Sequence, residues 1–91
     1  MAIVVMFTPQ SVTAAQYDEC IKELEKAGAA APPGRTYTVC HGPSNQVQVI
    51  DVWDSVEKFQ KFGETLMPIL ARLGINPGTP VIREVHNIIE G

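Results

Sequence analysis

Two histidines, one tryptophan, two tyrosines and two cysteines, set among scattered carboxylates, are the side chains through which this sequence could do chemistry. His41 stands beside Gly42-Pro43 at the end of a β-favouring run. An imidazole placed there titrates near neutrality and could serve as acid, base or ligand. The plainer reading is an ordinary turn-flanking histidine. Its neighbour Cys40 points to the opposite sheet face, because side chains alternate along a strand, so the two form neither a catalytic dyad nor a metal clip. Trp53 closes a second run, where its indole can roof a pocket and offer an N–H to a ligand, or simply anchor a core or an interface. Tyr37 shares a strand face with Val39 and His41, so the phenol and the imidazole could converge on one cavity. Asp51 joins them if the intervening turn keeps position 41 opposite 47, and therefore 37 opposite 51. A bulge in the hairpin changes that parity and removes it. His86, between Val85 and Asn87 in a last β-favouring run, reads as a hydrogen-bonded sheet or interface histidine, with a place in the pocket as the alternative. The candidate set is His41 for proton transfer, with Trp53, Tyr37, Asp51 and His86 around it.

Several chemistries are excluded at this level. There is no HxH, HxxxH or paired CxxC spacing to hold a metal, no nucleophile elbow, and no glycine-rich phosphate loop. No metal, haem, flavin or nicotinamide cofactor is expected. Ten acidic against seven basic residues give a net charge of -3 with no basic cluster, which argues against nucleic acid as a partner. The longest apolar runs, such as Ala2 to Phe7, fall far below the roughly 18 residues of a membrane span, so no membrane partner is expected either. Met1 to Phe7 carries no Lys or Arg and does not read as a secretory signal. The protein is therefore expected in the cytoplasm, with Cys20 and Cys40 as free thiols.

The elements that must position these residues follow from pattern. With 45% apolar and 19% charged residues, the chain has the material for one modest core, a single domain spanning 1–91. Ala2 to Phe7 reads as a buried strand. Thr13 and Gln16 have capping-box spacing, and Tyr17, Cys20, Ile21, Leu24 and Ala27 follow at helical period, giving a helix over about 13–27 stopped by Gly28. The prolines of 29–34 make a surface connection. Arg35 to His41 and Val47 to Trp53 form an antiparallel hairpin around a five-residue turn. Asp54 or Ser55 caps a second helix whose stripe runs from Val56 through Phe59, Phe62, Leu66, Ile69 and Leu70 to Leu73. Pro68 is expected to kink or break it. Val81 to Ile89 makes a last strand. The order β-α-β-β-α-β is the split pattern of an α+β, ferredoxin-like fold, with two helices on one face of a four-stranded antiparallel sheet.

The other sheet face is also apolar: Val4, Met6, Ile50 and Val52 accompany their neighbours of opposite parity. A monomer with one wet face would alternate more cleanly, so a homodimer joined through this open face is expected. The stretch Val49-Ile-Asp-Val-Trp-Asp-Ser-Val-Glu-Lys-Phe59, an apolar strand ending in Trp and running into an acid-Ser-x-Glu-x-Phe helix start, resembles the corresponding segment of the dimeric α+β barrel superfamily. That grouping includes the antibiotic-biosynthesis monooxygenases. The resemblance implies a homodimer with sheets packed face to face, and a small pocket between sheet and helices in each subunit. The haem-degrading branch is marked by a strand-one Asn and a helix-two His in addition to the Trp. Here those places hold Phe7-Thr8 and Phe62-Gly63, so haem degradation is disfavoured. The resemblance leaves a small-molecule pocket protein, of the kind of a cofactor-independent monooxygenase or isomerase taking a small apolar ligand. The alternative is a non-catalytic dimeric binding or accessory module in which Trp53 only packs.

Overall fold

A computed structural model describes residues 1–91. Its elements are β1 (Ile3–Phe7), α1 (Ala14–Lys26), β2 (Arg35–His41), β3 (Gln48–Trp53), α2 (Val56–Arg72) and β4 (Val81–Glu84). The strands form one antiparallel sheet in the order β2-β3-β1-β4, which is the ferredoxin-like arrangement the sequence predicts.

Local chemistry accounts for the helix starts. The Thr13 hydroxyl accepts the Gln16 N–H at 3.1 Å while the Gln16 side chain accepts the Thr13 N–H at 2.9 Å, so the capping box forms as spaced. Ser55, rather than Asp54, caps α2, accepting the Lys58 N–H at 3.3 Å. Asp54 instead pairs with Lys58 at 2.9 Å. The two helices are tied at the surface by Glu23, which meets both Lys26 and Arg72.

Three expectations are corrected. Pro68 does not break α2, which runs through it to Arg72. Both Pro68 and Glu64, whose carbonyl the proline deprives of a donor, are exposed, so water can satisfy that carbonyl. Replacing Pro68 with Ala is accordingly expected to stabilise the domain by about 1–3 kcal/mol, read as a higher urea midpoint. The last strand ends at Glu84 and not at Ile89. Glu84 lies opposite Ile3, the first residue of β1, and the Val85 N–H reaches the Ala2 carbonyl as the last bond of the ladder. Finally, position 41 faces Gln48, not Val47. The Val47 N–H is already taken by the Val12 carbonyl at 2.8 Å, and the Ser44 carbonyl accepts from Ala14, so the segment entering α1 holds the turn and delays strand pairing by one residue.

The core lies between sheet and helices. Ile3, Val5 and Trp53 from the sheet meet Cys20 and Leu24 of α1 and Phe62, Ile69 and Leu70 of α2. On the opposite face Tyr37 is 50% and Val39 44% exposed, with Val81 also at the surface. The molecule exposes 5922 Å². A monomer of this mass is expected to expose about 5,200 Å². The uncovered sheet face and the extended 85–91 tail are consistent with that excess.

Candidate functional site

Asp51 is the buried charge of this molecule, 4% exposed in the middle of β3, with Val5 opposite it on one side and Thr38 on the other. The alternation that places Ile3, Val5 and Trp53 in the core places Asp51 there too, so its carboxyl points at the helices and not at the open face. One carboxylate oxygen, Oδ2, accepts the indole N–H of Trp53 at 3.4 Å. The other, Oδ1, is buried without a hydrogen-bond partner. Thr38 lies beside the carboxyl and beside the Tyr17 phenol, and its nearness favours the charged form of both, yet it closes no well-aligned bond on Oδ1.

The electrostatics follow from that burial. Desolvation pushes the Asp51 carboxyl above the usual aspartate range, only partly offset by Thr38, the Arg35 guanidinium and the Trp53 N–H. Burial also raises the Tyr17 phenol, reinforced by neighbouring Cys40 and Asp51. Arg35 is held nearby by a 2.7 Å bond to the Ala30 carbonyl, with its guanidinium 5.7 Å from the centre of the Phe62 ring. Desolvation raises the Cys20 and Cys40 thiols as well, and both cysteines are free. No three His, Cys, Asp or Glu side chains gather as a metal centre.

Asp51 opens on a partly open cavity of about 90 Å³. Thr38, Val49 and Phe7 line its sheet side, Tyr17, Ile21 and Leu24 its α1 side, and Phe62, Leu66 and Leu70 its α2 side. Apart from Asp51, Arg35, Thr38 and Tyr17 the walls are apolar. A site with one buried acceptor, one phenol and one hydroxyl in such walls can orient a small ring and exchange a proton with it.

The residues singled out in the sequence are thereby separated. Asp51 lines the cavity. Trp53 touches Asp51 and is otherwise sealed among Phe59 and Phe62, at ring distances of 5.7 and 5.4 Å, with no exposed surface. Tyr37 and His41 lie on the open face, across the sheet from Asp51: the register puts Tyr37 opposite Val52 and Thr38 opposite Asp51. The cause is the one-residue delay at the turn, after which a bulge between Arg35 and Tyr37 brings Arg35 opposite Trp53, with the Thr36 hydroxyl bonded to the Val52 carbonyl. His86 lies beyond β4 in the exposed tail. The sequence does not distinguish Tyr17, Thr38 and Arg35 as site residues. Tyr17 sits in the apolar stripe of α1 and reads as packing, and Thr38 becomes a partner of Asp51 only once the register is known.

The sequence matches no protein-family model and no curated protein. Solved structures share its fold, and its structural neighbours are antibiotic biosynthesis monooxygenase-like proteins of the ferredoxin-like class. SnoaB, a cofactor-independent oxygenase from Streptomyces nogalater, aligns with a TM-score of 0.64 at 16% identity, covering 99% of this chain and 96% of that one. A proposed antibiotic biosynthesis monooxygenase from Chloroflexus aurantiacus J-10-fl aligns at 0.67 and 11% identity over 99% and 98%. The monooxygenase of the gene ActVA-Orf6 from Streptomyces coelicolor, solved with Nanaomycin D, aligns at 0.55 and 14% over 99% and 90%. Identities this low carry the fold alone.

Proposed function

We propose that the chain is a small-molecule pocket protein acting as a cofactor-independent monooxygenase on an apolar phenolic ring, with Asp51 as the proton acceptor. The observation that carries this reading is the unpartnered Oδ1 of a buried carboxylate facing an apolar cavity. Such an oxygen lacks a donor, and a phenolic O–H supplies one. A carboxyl raised above its ordinary range is also a stronger base when ionised. Proton removal leaves an electron-rich phenolate. One O₂ then converts a ring C–H to a quinone carbonyl, with its second oxygen leaving in water, so no external reductant is needed. The Trp53 N–H holds Oδ2 and thereby fixes the carboxylate plane. Because the cavity is partly open, the reacting edge of a ring enters while the rest of the ligand stays at the mouth.

The cavity is smaller than the roughly 150 Å³ that holds benzene, which favours the second reading, a binding or accessory module without turnover. Oxygen uptake with 1-naphthol and larger fused phenols separates them. Uptake that depends on Asp51 supports the oxygenase, whereas saturable binding without uptake supports the module.

The same reading includes a homodimer in the cytoplasm, joined through the face that bears Tyr37 and Val39. Light scattering is expected to give about twice the single-chain 9.9 kDa. Val39→Glu, which puts a charge into that contact, should shift the mass to one chain. A wild-type mass of one chain at all concentrations removes the dimer.

A further inference from the structure

A second cavity lies outside the Asp51 site, between the α1–β2 connection and α2, with a volume of about 360 Å³. That volume falls within the range of about 300–1,000 Å³ typical of small-ligand sites. Its two walls differ in chemistry. The connection contributes Pro32 and Pro33 with small residues beside them, while α2 contributes Lys58, Lys61, Phe62 and Thr65. Those four positions recur at helical period, so they form one stripe of α2 facing the connection.

The wall opposite is built and fixed. The Gly34 carbonyl accepts the Asp54 N–H at 2.8 Å, the Ala30 carbonyl accepts from Arg35 at 2.7 Å, and the Ala29 N–H bonds the Leu24 carbonyl at 2.8 Å. Two prolines restrict the backbone between these ties. Gly34 itself has φ +90, and a Cβ there would meet Lys58 and Asp54 side chains, so the approach of the connection to α2 requires glycine. A cleft held open in this way loses little entropy when it is filled.

Charge selects the occupant. The Lys58 ammonium is paired with Asp54 at 2.9 Å. Lys61 takes part in none of the three ion pairs of the molecule. In a chain of net charge -3, an unpaired lysine beside an apolar wall marks a place where an organic anion is favoured. We propose that this cleft binds small aromatic carboxylates, the ring lying on the Pro32-Pro33 wall with only its edge against the buried Phe62, and the carboxylate on Lys61, with the Thr65 hydroxyl one turn further along the same stripe. The site is separate from Asp51, although Phe62 forms a wall of both cavities.

Titration with 2-naphthoate and with the uncharged 2-naphthylmethanol, followed by calorimetry and by amide shifts in nuclear magnetic resonance, tests the proposal. The acid is expected to bind about two- to fivefold more tightly than the alcohol, with shifts concentrated in Gly28 to Ala31 and Lys61 to Thr65. Lys61→Gln should remove that preference and Lys61→Arg should restore it. Asp51→Asn should leave naphthoate binding unchanged, which separates this cleft from the oxygenase reading. Equal affinity for acid and alcohol, an unaltered preference in Lys61→Gln, shifts confined to the Asp51 cavity, or no shifts at millimolar 2-naphthoate would each overturn it.

Discussion

Asp51→Asn is expected to slow oxygen-dependent turnover of a phenolic substrate by at least about 100-fold, the usual lower range for loss of a positioned proton acceptor, while the domain becomes more stable at pH 7. The two effects have one origin. In the folded chain Asp51 is buried, its Oδ1 has no partner, and its carboxyl titrates above the range it has when unfolded. The native state therefore holds the proton more tightly than the unfolded state, and stability falls as pH rises from the unfolded carboxylate range, about 3.9, through the folded value. Above that window the full cost of a desolvated charge is present. The asparagine amide keeps the size and carries no charge, so at pH 7 the variant is expected to gain about 1 kcal/mol, a rise in Tm of roughly 4–8 °C for a domain of this size. The gain should shrink as the pH is lowered towards 4. Calorimetry at pH 7 and pH 5 with oxygen uptake on the same samples checks both halves. A variant that lost stability along with activity would instead indicate a structural role for the carboxylate.

Trp53→Ala is expected to cost about 3–5 kcal/mol, which for a chain this short approaches its whole stability. The indole has no exposed surface and joins the rings of Phe59 and Phe62 beneath the sheet. Its loss empties the middle of the core and takes the N–H from Asp51. Urea unfolding should show the wild type as cooperative and the variant unfolded or nearly so without denaturant. Trp53→Phe separates the two roles: it keeps most of the ring contacts, retains the fold, and raises the Asp51 carboxyl further, because a bond that favours its charged form is gone.

The fold was legible because its signals are local. The Thr13/Gln16 capping box, the apolar stripe of α2 and the β-branched runs each specify an element without help from the rest of the chain. The site was legible only in part, since sheet register is a non-local quantity. One backbone bond, Val47 N–H to the Val12 carbonyl, moves the hairpin by a residue, and with it Tyr37 and His41 part company from Asp51. Trp53 and Asp51 stay together because they are two apart on one strand, a relation no register can change. Tyr17 and Thr38 come to Asp51 from other elements, and nothing in their own sequence neighbourhoods distinguishes them from packing residues. Pro68 departs from expectation for a different reason: its cost in an exposed helix is a few kcal/mol, which the buried stripe of Phe62, Ile69 and Leu70 outweighs.

In the proposed function Asp51 is a desolvated carboxylate that receives a ligand's proton. Titrating the ¹³C-labelled Asp51 carboxyl by nuclear magnetic resonance, with and without 1-naphthol, measures this directly. A midpoint above the ordinary aspartate value is expected, with a carboxyl shift that changes as 1-naphthol binds, both absent from Asp51→Asn. A carboxyl that titrates at about 3.9, as in an unfolded chain, and ignores 1-naphthol would contradict it.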